Sequence, residues 1–395
     1  MLDARLLAHL RTVAWCLACA VTTPSSPALA QSPGDPPAQP ATPPTTPWYQ
    51  AISVNGLVSA SYEANFNNPA SRTNQFRVFD TDEGSATLDE VELVVQRAIS
   101  SPGQAGFRVD LTLGTMSRVT AAAGLFRDAS GEAGDLDMRQ AFASYIAPLG
   151  KGLRIDVGKF VTHVGYEVSD GYDGFNDNHT RGLLFGYAEP ITHTGVRLSY
   201  PFGEKVSGQV LVVNGWDNAV DNNTGKSVGA QLAWTVSPRL AVTMNYLGGP
   251  EQPNNNDHLR HLADLVVVAK LAPAVTLVGV YDYGHEAAVR LADTAGGGVM
   301  DSSWQGVAGY ARYALSARAA VTLRAEWFDD PEGARTQYAQ TLKEVTLTPE
   351  FRVLPTFIVR GDLRRDQSDR AVFEQGDGSF GHGQTTVSVN VLFVF

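Results

Sequence analysis

Eight residues carry most of the chemistry this chain offers. His163, Glu167, Asp170, Asp173, Asp177, His179, Arg181 and His193 fall close together, most of them inside the stretch 163–189, which has no regular hydrophobic period. A histidine beside a carboxylate moves protons, and with a hydroxyl nucleophile it would make a lipid or ester hydrolase. No serine sits in the glycine-flanked elbow that exposes such a nucleophile, so no catalytic residue is named and an enzyme is not expected. A second reading is electrostatic: a charged loop folded into a pore narrows it and sets selectivity. A plain surface loop is the third.

Other candidates carry less. Asp221–Ser227, DNNTGKS, resembles the end of a phosphate-binding loop, but the glycine required five residues before Gly225 is Val220, and an alternating run follows instead of a helix. His285-Glu286 lacks the second histidine of a zinc-protease helix and reads as a solvated loop pair. Asp217 and Asp221 lie among asparagines without the twelve-residue spacing of a calcium loop; adventitious divalent binding at an outer rim is the most they suggest. No cofactor and no metal site is expected.

The elements that must position these residues are strands. In GFRVDLTLG, Phe107, Val109, Leu111 and Leu113 alternate with Arg108, Asp110 and Thr112. Leu153, Ile155 and Val157 alternate with Arg154 and Asp156, and Val321, Leu323, Ala325 and Trp327 with Thr322, Arg324 and Glu326. Period two gives one apolar and one polar face. About sixteen such runs follow one another from 50–66 to 384–395. Short connections such as Ser101-Pro102-Gly103 and Ser237-Pro238 alternate with long ones, of which 163–189 is the third and longest. That order fits an antiparallel up-and-down barrel with tight turns at one rim and loops at the other. A soluble sandwich would need an apolar interior, whereas Arg108, Asp110, Arg154 and Asp156 charge one whole face. The fold class expected is therefore all-β, a transmembrane antiparallel barrel of about sixteen strands.

On that reading the apolar face meets outer-membrane lipid, and the polar face lines an aqueous lumen. Arg108, Arg154, Arg197, Arg324, Arg352 and Arg360 face Glu90, Glu92, Asp110, Asp156, Glu326 and Glu344. Neither sign dominates, which suits a general pore for small hydrophilic solutes or ions. The residues expected to line or constrict it are Arg108, Asp110, Arg154, Asp156, His163, Glu167, Asp173, Arg181, His193, Arg197, Arg324 and Glu326. Trp48, Tyr49, Trp216, Trp234, Tyr246, Tyr281, Trp304 and Trp327 lie near strand ends, where interfacial girdles form. A plugged structural or adhesive barrel is the other alternative, and the sequence leaves homo-oligomerisation open.

The ends of the chain agree. Arg5 and Arg11 precede the apolar run Thr12–Val21, and Ala28-Leu29-Ala30 offers a cleavage site: residues 1–30 read as a secretory signal. Its removal takes two arginines and one aspartate, moving the net charge from −11 to −12, and both cysteines go with it. So acidic a chain is no nucleic-acid binder. Residues 31–47, with seven prolines, read as an extended periplasmic linker, and 48–395 as the barrel. The final alternation TTVSVNVLFVF would leave a sticky edge unless it closes on the first strand. Phe395 at its end fits the signal read by the outer-membrane assembly machinery.

Asp156–Val168 (DVGKFVTHVGYEV), Gly171–Pro201 and Val210–Asn218 (VLVVNGWDN) together resemble the OmpL-like β-barrel porin family of Gram-negative bacteria. The specific block is F-x-T-x-x-G-x-E followed by E-P-x-x-H-T-G-x-R, and the likeness extends from about residue 50 to the C-terminus. It implies an outer-membrane diffusion channel and leaves the solute undefined.

Overall fold

A computed structural model of the chain describes residues 47–127, 132–291 and 298–395. The expected signal peptide, 1–30, and all of the expected linker except Pro47 lie outside the described residues. From Ser53 the alternating runs form sixteen strands: β1 Ser53–Asn65, β2 Ser85–Arg97, β3 Ala105–Leu113, β4 Leu136–Ala147, β5 Leu153–Val161, β6 Thr192–Pro201, β7 Val206–Val213 and β8 Ser227–Ser237. Then follow β9 Leu240–Pro250, β10 Leu259–Ala272, β11 Val275–Arg290, β12 Val299–Ala314, β13 Ala319–Asp330, β14 Gln340–Leu354, β15 Phe357–Ser368 and β16 Gly383–Val394. Each pairs antiparallel with its sequence neighbour, and β16 pairs with β1, so one sheet closes into a barrel. Closure leaves no strand edge unpaired, as hydrocarbon demands of a spanning β-structure. A short ladder of Phe373–Glu374 with Phe380–Gly381 stands apart from it, in the last long loop.

The seam runs in register from Leu57 opposite Val394 to Asn65 opposite Thr386. The terminal residue joins in: Phe395 N–H donates to Gly56 O (3.0 Å) and Gly56 N–H to Phe395 O (2.9 Å). Its ring lies over Gly56, where any Cβ would collide with it and with the Glu92 carbonyl. Both barrel ends thus meet at the rim of short turns.

Two faces follow from the pleat. On β16, Val387, Val389, Val391 and Phe393 are exposed, while Thr386, Ser388 and Asn390 are buried inside. The outward face is apolar around the barrel, as lipid contact requires. Trp48, Tyr49, Tyr145, Trp234, Tyr313, Phe351 and Phe395 mark the short-turn rim of that face, with Tyr62, Phe66, Tyr246, Tyr281 and Tyr283 nearer the long loops. Two expected girdle residues do not belong there. Trp304 is fully buried, because it shares its face of β12 with Tyr310 and Arg312, which point inward. Trp216 leaves β7 for a loop, where its ring is held between the guanidinium groups of Arg260 and Arg335, each 4.9 Å from its centre.

The hairpin of β11 and β12 is long, sixteen residues in each strand. The alternation continues through His285 and Glu286, which are strand residues and not a solvated loop pair. Glu286 is buried and ion-paired to Arg260 at 2.7 Å.

Candidate functional site

The lumen is not left open by its wall strands. Residues 162–191, between β5 and β6, turn inward and touch lumen-facing side chains on most of the barrel. Tyr172 N–H donates to Glu92 of β2 (2.8 Å), and Arg139 of β4 donates to Asp170 O (2.5 Å). Arg108 of β3 pairs with Asp173 at 2.6 Å. Across the barrel, Arg324 of β13 reaches Glu167 (2.7 Å), Asn178 donates to Thr348 of β14 (2.6 Å), and Thr180 binds Asp362 of β15 (2.7 Å). Arg360 of β15 donates to Asn176 O (2.6 Å) and pairs with Asp170 (3.2 Å).

Packing fixes the other end of the loop. Leu183, Leu184 and Ala188 bury themselves against Val266, Val278, Val280, Trp304, Ala308, Phe328 and Leu342 on the wall from β10 to β14. Burying one leucine is worth about 1.5–3 kcal/mol, so this apolar patch holds the loop even where its charges are paired with each other. The neighbouring Phe185 stacks on Phe79, from the loop 66–84, with ring centres 5.4 Å apart. Arg77 of that first loop donates to Arg181 O (3.2 Å) and pairs with Glu344 (3.0 Å) and Asp366. Two loops therefore meet inside the barrel.

The expected residues divide into four groups. Arg108, Asp110 and Asp173 form one, with Arg108 2.8 Å from Asp110. Asp156 takes Arg154 and Arg197, both at 2.9 Å, on β5 and β6. Glu167, Arg324 and Glu326 make the third, joined by Glu344 at 2.6 Å and by the Leu183 N–H, which donates to Glu326. Arg181 lies beside it through Asp170 at 3.1 Å. His163 and His193 are the fourth, with ring centres 5.9 Å apart.

Both histidines are buried and partnered. His163 Nε2 meets Tyr246 O (3.1 Å); His193 contacts Gly215 O through Nδ1 (3.0 Å) and the Thr162 hydroxyl through Nε2 (3.0 Å). Burial, then the neighbouring His193, lowers the His163 pKa to about 3. Burial likewise lowers that of His179. Asp170 moves down despite its burial, because Arg181 and Arg360 hold its charge.

Sequence reading missed Arg77, Arg139, Arg364, Asp362 and Asp366, which complete these networks. It also missed three carboxylates. Asp264 and Asp282 are cross-strand partners on β10 and β11, both facing inward, and Glu189 descends on them from the end of the loop. One oxygen of each lies within 4.8 Å of the other two. Asp217, read as a rim ligand, instead accepts the Ile191 and Thr192 N–H groups (2.7 and 2.8 Å), and Asp221 pairs with Lys226.

Between the two infolded loops and the β1–β2 wall remains a cavity of about 40 Å³, room for about three waters. Ser59, Ser61, Glu63, Asp82, Asp89 and Arg181 are among the residues lining it. Glu63 is neutralised by Arg364 at 3.2 Å, whereas Asp89 accepts hydroxyl donors from Ser59, Ser61 and Thr87.

Known structures share this architecture. The outer membrane channel DcaP of Acinetobacter baumannii superposes with a TM-score of 0.58 at 10% identity, over 87% of this chain and 97% of its own. An anion-selective porin from Comamonas acidovorans gives 0.55 at 12%, over 87% and 99%. The trimer form of OmpT from Vibrio cholerae gives 0.53 at 10%, also over 87% and 99%. No curated protein matches the sequence. The family described as "Putative beta-barrel porin-2, OmpL-like" matches residues 51–395, which is the whole barrel, and this chain is a member of that outer-membrane porin family.

Proposed function

We propose that this porin-family barrel passes small hydrophilic solutes or ions down their gradients, with the loop 162–191 as its constriction. Arg108, Asp110, Arg154, Asp156, His163, Glu167, Asp173, Arg181, His193, Arg197, Arg324 and Glu326 line or brace that narrow zone. The observation carrying this reading is the attachment of the third loop to inward-facing side chains, above all Arg324 to Glu167. Most charges inside are paired, so the field they present to a passing ion is weak; Asp82 and Asp89, which line the remaining cavity, bias that weak field mildly toward cations on this reading. Burial of both His163 and His193 behind backbone partners supports a channel over a hydrolase. Export rests on cleavage after Ala30, with 31–47 as a periplasmic linker, and association of the barrel with further copies of itself belongs to the same proposal.

One observation favours a second reading. The infolded loop engages strands from β2 to β15, which also suits a plugged structural barrel. Planar-bilayer recording of the purified full chain separates the two. The channel gives discrete conductance steps, with a reversal potential in a salt gradient shifted slightly toward that of cations. A chain inserted into the bilayer without any step would establish the plug instead.

A further inference from the structure

Three carboxylates converge where the infolded loop ends. Glu189 is 4% exposed, Asp264 4% and Asp282 0%. Asp264 and Asp282 stand directly opposite each other on neighbouring strands, an arrangement that like charges make unfavourable. Among the described residues, no ion pair reaches any of the three, and neither oxygen of Asp282 has a hydrogen-bond donor from outside the cluster. One oxygen each of Glu189 and Asp264 is equally without a donor. The remaining Asp264 oxygen accepts from Asn245 and the Gly165 N–H, which fixes that carboxylate toward its partners. Buried carboxylates need a counter-charge, and the wall supplies none.

We infer that Glu189, Asp264 and Asp282 bind one hard divalent cation, with calcium the best fit, and that this ion staples the end of the infolded loop to the barrel wall. The donor set is all oxygen, which selects calcium, magnesium or manganese over softer metals. Each carboxylate offers at least one oxygen to a common point, and calcium accepts such oxygens in flexible geometry at about 2.3–2.6 Å. Oxygens bound to one such ion lie at most about 5 Å apart, and one oxygen of each carboxylate lies within 4.8 Å of the other two. Magnesium keeps several waters and a stricter octahedron, which a fully enclosed cluster does not accommodate. The ion joins strands β10 and β11 to the loop, next to the Trp304 Nε1–H that donates to Ala188 O (3.3 Å).

The test is titration calorimetry of the full chain, stripped with chelator and held in detergent, using calcium chloride alone. The expected result is a saturable heat at about one calcium per chain and a higher unfolding temperature with calcium present. Asp282→Asn and Glu189→Gln weaken binding on the order of 100-fold or more and abolish the thermal shift. Asp221→Asn, in the outer loop, binds as the parent does. Absence of saturable heat in the parent, coupled to an unfolding temperature that rises on acidification regardless of calcium, would overturn the inference in favour of shared protons. Unchanged binding in both loop and wall variants would place calcium elsewhere and equally overturn it, and tighter magnesium binding would overturn the choice of metal. These readouts need no conductance, so failure of the channel reading leaves them intact.

Discussion

Arg324 shows how much one side chain organises. Its guanidinium is fully buried and bonded to Glu344, Glu167 and the Thr180 carbonyl. Arg324→Met removes the cation and leaves the carboxylates facing each other, a change that costs about 3–5 kcal/mol when a buried pair loses one partner. Chemical denaturation measures that loss, and larger conductance steps report release of the loop. His163 gives a pH prediction with a defined sign. Its pKa falls from 6.5 to about 3 in the folded chain, so between those values the unfolded chain binds more protons. Stability from this group is complete above pH 6.5 and is lost as the pH falls toward 3. Glu189, raised by its burial and then by Asp264, works in the opposite direction, so the contrast between parent and variant isolates the histidine. His163→Gln keeps a donor for Tyr246 O, and its unfolding temperature at pH 4, taken relative to that at pH 7, lies higher than the parent's.

At the scale of elements, the loop 162–191 behaves as a second, internal layer. Leu184 is 2% exposed within its apolar patch. Leu184→Ala costs about 2–5 kcal/mol of packing, paid by the loop and not by the wall. Limited proteolysis should therefore cut within 163–189 while the strand signal in circular dichroism persists. On the opposite face, Val389→Arg puts a cation into the apolar band of β16 and costs about 2–4 kcal/mol at mid-membrane, measured by denaturation from bilayers. The strands themselves were legible because lipid and water impose period two on every one of them. The parity of Trp304 with Tyr310 and Arg312 also held its inward orientation, which proximity to a strand end obscured. The infolded loop was legible from its length and its charges, whereas the apolar run Leu183-Leu184-Phe185 that packs it against the wall was passed over. Nothing local marked Glu189, Asp264 and Asp282, since closure of the sheet and inward folding of the loop are what bring them together.

For the whole molecule, the decisive contact is the seam. Gly56→Val would drive a side chain into the Phe395 ring and the Glu92 carbonyl, and Phe395→Asp would put a charge at the lipid-facing rim. Either change lowers the amount of heat-resistant barrel recovered from outer membranes, while the same change at Phe380, in the last loop, leaves it unaltered. The seam also joins residues that are distant in the chain: Asn390 donates to Ser59 across 331 positions. The first strand accordingly keeps an open edge until the last one arrives. A chain that stops short of β16, by premature termination or by proteolysis, has nothing to pair with β1 and cannot make a lipid-compatible surface. Cylinder closure thus makes the lipid-compatible surface depend on strands that lie at opposite ends of the barrel sequence.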